Sequence, residues 1–250
     1  MRIWVGGIIL FTLVGCGARG TLTGEIDGQT VPPIVDAAFA IVEDEANDVN
    51  VAFSIFTTYS DACLHLSSQF NILNDLIDPR ATPDDVENSA EDFADYIEDN
   101  KLVDHWTIQI AGTAEKEADF RDENTLDIDP DEDENTSLSV SFQERAPEFE
   151  NGRLELNQDS FNADDGAFAW SLDEELRDVT VKGNAELRDE DNDQAGDIEF
   201  EGTAVFCAEL SDAVVELTEN LNANSCAFAR DGVCDEPNDC AAGTDETDCG

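Results

Sequence analysis

Basic residues are what this sequence lacks most. Twelve lysines and arginines face 60 aspartates and glutamates, for a formal net charge of −48. Lys101, Lys116 and Lys182 are the only lysines. Such a surface repels the phosphates of DNA and RNA and anionic lipid headgroups, which argues against a nucleic-acid partner. Histidine is as scarce, with His65 and His105 alone. Neither lies in a triad or metal motif, and no G-x-S-x-G, H-E-x-x-H or phosphate loop occurs. Both read as surface or interface residues. No apolar run of membrane-spanning length follows the first residues. Paired carboxylates are the remaining route to hydrolysis, but among 60 acids a pair picked out by eye carries no information.

What is present is acid, spread along most of the chain. One reading is solubility in a salty medium, where screening makes self-repulsion tolerable. The other is a surface that handles cations or basic partners. The even spread favours the first. The apolar fraction, 41%, is ordinary for a folded domain, and 250 residues suffice for one good core plus a small module.

The N-terminus begins with Arg2, and Ile3 to Val14 form an apolar stretch too short to span a bilayer as a stable helix. It ends in Leu13-Val14-Gly15-Cys16. These four residues resemble the lipobox of bacterial lipoproteins at every position. The resemblance implies that residues 1–15 are a cleaved lipoprotein signal peptide. It also implies a thioether-linked diacylglycerol on the Cys16 sulfur and an acyl chain such as palmitate on its new amine. Several buried acyl chains hold a protein at a membrane almost permanently. Gly17, where aspartate would retain the protein, implies export to the outer membrane. Residues 16–24 are small and polar and read as a lipidated tether.

With Cys16 set aside, six cysteines remain: Cys63, Cys207, Cys226, Cys234, Cys240 and Cys249. An even number in an exported chain argues for disulfides. Cys63 and Cys207 lie far apart in the middle and most simply pair together. The other four crowd the end.

Residues 25–222 read as a β-rich domain of unknown activity. Val49, Val51, Phe53 and Ile55 alternate with polar or small residues, the period of a half-buried strand. Residues 34–42 precede them across an acidic turn, as in a hairpin. Further alternating runs cover 105–112, 137–144, 152–158, 167–172, 178–187 and 197–210. Helical periodicity marks 60–77, with Leu66, Phe70, Leu73 and Ile77 as its stripe. It also marks 82–100, with Thr82 as N-cap, Pro83 at N1, and Val86, Ala90, Phe93 and Ile97 on one face. A third helix is expected over 212–221. The fold class is therefore mainly β (α+β): an antiparallel sandwich or barrel with two or three inserted helices, plus a small disulfide-rich C-terminal module. The layout runs from Gly24-Glu25-Ile26-Asp27-Gly28-Gln29 through Cys63 to Val205-Phe206-Cys207. It resembles uncharacterised lipoproteins of myxobacteria and their relatives, which implies no activity.

Two acidic clusters, 127–138 and 189–200, carry aspartates at calcium-loop positions 1, 3 and 5. Both lack the glycine at position 6 and have Leu138 or Phe200 in place of the bidentate glutamate. They read as a solvated loop and an acidic hairpin turn.

The end of the chain is different. Cys234 is followed by Asp235, Asp239 precedes Cys240, Asp245 and Glu246 follow Gly243-Thr244, and Cys249 closes the run. Residues 223–250 resemble the second half of a low-density-lipoprotein receptor class A module. The resemblance implies one calcium held by the side chains of Asp235, Asp239, Asp245 and Glu246 and by the carbonyls of Gly232 and Pro237. It also implies a Cys234–Cys249 bridge, leaving Cys226–Cys240. Only four of the usual six cysteines are present, and Gly232 replaces the aromatic residue with which that family clasps a partner's lysine. The stretch around Cys234 also resembles Notch-type calcium repeats. Calcium prefers six to eight hard oxygens. Without it, each close carboxylate pair costs up to about 4 kcal/mol at an effective dielectric of twenty.

The expectation is an outer-membrane-anchored lipoprotein, facing periplasm or surface, with a calcium-stabilised module. Its role is non-catalytic binding, adhesion or envelope structure, with a protein or glycan partner and no nucleic acid. The alternative is a secreted hydrolase using a carboxylate pair in the β-rich domain.

Overall fold

The alternating runs become strands. The structure is a computed structural model that describes residues 19–44, 49–78, 81–114, 125–128, 136–150, 153–172 and 178–223. Among these residues it is mainly β with three helices. The strands are β1 (Gly20–Gly24), β2 (Asp36–Asp44), β3 (Val49–Thr57), β4 (His105–Ala114), β5 (Thr125–Ile128), β6 (Thr136–Gln143), β7 (Glu148–Glu150), β8 (Arg153–Glu155), β9 (Gln158–Leu172), β10 (Asp178–Arg188) and β11 (Gln194–Phe206). The helices are α1 (Ala62–Ile77), α2 (Pro83–Asp99) and α3 (Ala208–Ala223).

One sheet runs β1-β11-β10-β9-β6-β4-β3-β2, with β5 also paired to β9. Every neighbour along that path is antiparallel, including the expected β2–β3 hairpin. β2 then returns to β11 in parallel, through Val205↔Ala38 and Phe206↔Phe39. The path closes, so of the two expected architectures the barrel is the one adopted. Closure reduces exposed strand edges, which otherwise invite pairing with other chains, and leaves β1 paired along its length with β11 alone.

The barrel is filled by one apolar cluster that includes Phe39, Phe56, Ile108, Val140, Phe168, Trp170, Val181 and Phe200. Phe56 and Phe200 meet edge-on at 4.6 Å. Gly202 makes this possible: a Cβ there would lie 2.6 Å from the Phe56 ring and 2.7 Å from that of Phe200.

β2 and β3 are covered on their outer faces as well. Val51, Phe53 and Ile55, the alternating set, face outward with Ala38, Ala40 and Val42 into a second cluster under α1 and α3. Ala52 and Phe56 face the barrel instead. The bulkiest alternating face thus belongs to the helix-covered exterior. A third cluster joins Phe93 and Ile97 of α2 to Tyr59 and Leu102.

Local signals explain the helix starts. Thr82 caps α2 in a reciprocal box with Asp85, with Pro83 beginning the helix. Asp61 sits left-handed before α1 and caps nothing. The first amide of α1, Ala62 N–H, donates instead to Asp36 Oδ2 of β2 at 3.0 Å. The third helix is longer than expected and begins directly after Cys207. No helix among the described residues is long and apolar enough to cross a membrane.

One expectation is corrected. Residues 20–24, read as part of a tether, form β1, hydrogen-bonded to β11 from Gly20↔Gly202 to Gly24↔Ile198. Thr21, Leu22 and Thr23 alternate too briefly to stand out, and β11 supplies the pairing that local sequence does not reveal.

Candidate functional site

Strand register sets the outward side chains of β1, β11, β10 and β9 in rows. Thr21, Glu201, Lys182 and Ala169 stand abreast. Thr23, Glu199, Asn184 and Ala167 form the next row, and Asp197, Glu186 and Asp165 the one after. Together they bound an open trough of about 1520 Å³. Its short side chains, Ala167 and Asn184 among them, leave room between longer acidic ones.

Asp164, Asp165, Glu186, Asp197, Glu199 and Glu201 line this trough against a single base, Lys182. Part of that charge is answered locally. Lys182 Nζ lies 3.3 Å from Glu201. Arg188 lies 2.6 Å from Asp164 and 3.2 Å from Glu186, and the Asp164 hydrogen bond raises the guanidinium's pKa above its ordinary value. Asp165, Asp197 and Glu199 make no ion pair among the described residues. The row Asp197–Glu186–Asp165 sets like charges on neighbouring strands, an arrangement that destabilises a sheet unless a cation answers it. A trough open to solvent lacks the dry, closed setting on which desolvated catalysis relies.

Comparison with models of known protein families, with characterised proteins and with solved structures finds no match. Function therefore has to be argued from the site itself.

Both histidines and both tyrosines of the chain gather where α1 and α2 cross the end of β3 and the start of β4. Tyr59 meets His65 edge-on at 5.8 Å and His105 at 5.6 Å. His65 Nδ1 lies 2.8 Å from the Tyr96 hydroxyl. Thr58 Oγ1 accepts from Trp106 N–H at 2.9 Å and lies 3.1 Å from His105 Nδ1. With one Thr58 lone pair so engaged, its hydroxyl is free to donate to His105 Nδ1, which suits a neutral ring. Burial pushes His105 below its ordinary value and Tyr59 up to about 12. Contacts from His65 to Tyr96 and from Thr58 to His105 and Trp106 run between these elements, so the cluster ties the helices to the barrel. Sequence read both histidines as surface or interface residues, and nothing in their spacing says that they share one interface.

Cys63 and Cys207 are bonded, with Cα atoms 5.7 Å apart. Glu209 Oε2 lies 3.8 Å from the Cys63 sulfur and 3.9 Å from that of Cys207. These three residues lie close enough to hold a metal, but sulfurs joined to each other are not thiolate ligands. At the acidic turn, Asp189 Oδ1 accepts from the amides of Asp191 and Asp193. This is the hairpin turn expected from sequence. Cys16, Gly232, Asp235, Pro237, Asp239, Asp245, Glu246 and the cysteines Cys226, Cys234, Cys240 and Cys249 lie outside the described residues, as does most of 127–138.

The trough was missed from sequence. Its residues are the polar half of each alternation, and only the strand order makes neighbours of them.

Proposed function

We propose that this protein is an outer-membrane lipoprotein, held by lipid on Cys16, that binds a basic segment of another protein in the acidic trough. The observation that carries the binding role is the trough itself: six carboxylates against one lysine, three of those acids without an ion pair among the described residues. Its volume, about 1520 Å³, exceeds the roughly 300–1,000 Å³ of small-molecule pockets. An extended ligand fits that shape, and the charge selects a cationic one. A glycan partner is less suited, because the only exposed large aromatic among the described residues, Phe206, lies outside the trough.

The anchor is supported by the lipobox at Leu13-Val14-Gly15-Cys16. The C-terminal module holds one calcium through Asp235, Asp239, Asp245 and Glu246, with the carbonyls of Gly232 and Pro237. Its support is the spacing of acids and cysteines, together with the cost of crowding those carboxylates without an ion.

The test is calorimetric titration of the full chain with a lysine-rich dodecapeptide. Exposed ion pairs are each worth about 0.2–1 kcal/mol. Removing three, in Asp165→Asn, Glu199→Gln and Asp197→Asn together, should weaken binding about tenfold. Three neutralised acids on α2, Glu87→Gln, Glu91→Gln and Asp92→Asn, serve as control. Equal losses in both triple variants would reduce the trough to part of a uniformly acidic surface.

A further inference from the structure

We infer that the barrel lies flush on the membrane, with the junction of β1, β2, α1 and the end of β11 pressed into the lipid headgroups. This rests on the proposed acylation of Cys16, and adds to it an orientation and a lipid-contact surface.

The first argument is reach. Arg19 is already part of the fold: its N–H donates to the Ile34 carbonyl at 3.0 Å, and its own carbonyl accepts from Thr203 N–H at 2.8 Å. Two residues, Gly17 and Ala18, separate it from Cys16, so three Cα–Cα steps give at most about 11 Å of extended chain. The headgroup layer of one leaflet is roughly 5–7 Å thick. A lipid-bearing Cys16 therefore leaves the barrel at most about 4–6 Å to stand off.

The second is what surrounds Arg19. Its guanidinium lies 3.8 Å from Asp36 Oδ1, and Asp36 Oδ2 accepts from Ala62 N–H at the start of α1. The next residue, Cys63, is bonded to Cys207 at the end of β11. Five large apolar side chains are exposed among the described residues: Val35, Leu64, Leu156, Phe206 and Val215. Three of them flank this junction. Val35 adjoins Asp36, Leu64 adjoins Cys63, and Phe206 adjoins Cys207. Leu64, at 62%, is the most exposed of all. Apolar side chains at a lipid interface add a second attachment to an acyl anchor.

The third is charge. An acidic body is repelled by anionic lipid, and Asp36, Asp61 and Glu209 at the junction add to that repulsion. The surface therefore fits zwitterionic headgroups, whose phosphate Arg19, with 44% of its side chain exposed, can reach while its stem stays in apolar surroundings.

The test uses the full chain processed in a lipoprotein-exporting bacterium and reconstituted in phosphatidylcholine vesicles. Benzoylphenylalanine replaces Val35, Leu64, Phe206 or Leu156 in turn, and lipid adducts are counted after illumination. Leu156 is as exposed as Phe206, 39% against 38%, so exposure alone predicts equal yields at those two. The expected result is at least tenfold more adduct at 35, 64 and 206 than at 156. Mass measurement of the N-terminal peptide separates the two ideas. An unmodified Cys16 overturns the anchor, and the orientation with it. An acylated Cys16 with even adduct yields overturns the orientation alone. A flexible spacer of about twenty Gly and Ser residues after Ala18 should lower all three yields more than fivefold. Unchanged yields would refute the role of the short reach.

Discussion

The Cys63–Cys207 bridge gives the sharpest stability prediction. It joins residues 144 apart in sequence, and the chain-entropy relation assigns a loop that long about 5 kcal/mol. Measured disulfides fall at or below such values, so the paired substitution Cys63→Ala with Cys207→Ala should cost about 3–5 kcal/mol. For a domain of this size that is a fall in Tm of roughly 10 °C. The loss should also be local. Cys207 follows the two-residue parallel seam of β11 with β2, and its N–H donates to the Phe39 carbonyl at 2.8 Å. Native-state hydrogen exchange should therefore accelerate in β2, the end of β11 and α3 before β4 and β6. Urea unfolding of the oxidised protein and the variant gives the first number, and exchange gives the second. A loss below about 1 kcal/mol, or exchange that rises first at β4–β6, would show that the bridge decorates a seam held by other contacts.

Other expectations are briefer. Glu209→Gln should speed reduction of the same bridge by dithiothreitol about three- to tenfold, because a carboxylate 3.8 Å from one sulfur and 3.9 Å from the other disfavours approach and departure of thiolate; an unchanged rate refutes this. Gly202→Ala should cost about 1–3 kcal/mol in urea unfolding through overpacking against Phe56 and Phe200, and a neutral result would mean that the rings have slack. His105 is depressed by burial, so its contribution is present above the unfolded value near 6.5 and fades as pH falls below it. Against His105→Gln, the native protein should lose more stability between pH 7 and 5, and parallel curves would contradict this. Tyr59, raised to about 12, acts in the alkaline range: its contribution is whole below pH 10 and is lost as pH climbs from 10 toward 12, a decline that Tyr59→Phe should remove. Chelation of the full chain should lower the melting temperature of the C-terminal module and leave the barrel's nearly unchanged.

Much of the fold was legible because its signals are local. Alternation located β3, β4, β6 and β10, and the Thr82–Pro83 start located α2, since each depends on residues within a few positions of one another. The Cys63–Cys207 pairing followed from their isolation. What escaped depends on partners distant in sequence. β1 is a strand because β11 lies beside it, and Val51, Phe53 and Ile55 face outward because α1 and α3 cover them. The trough exists only once Thr23, Glu199, Asn184 and Ala167 become neighbours. Tyr59, His65, Tyr96 and His105 carried one usable hint, their rarity, but nothing in their spacing says that they converge.

The central claim is that charge on one face of the barrel, rather than over the whole molecule, selects the ligand. Backbone NMR of the full chain with the lysine-rich dodecapeptide, at a salt concentration that screens scattered acids, tests it most directly. The account predicts shifts confined to the outward positions of β1, β11, β10 and β9, largest at Asp165, Glu186, Asp197 and Glu199. Shifts of similar size along α2, whose exposed acids include Glu87 and Glu91, would contradict it.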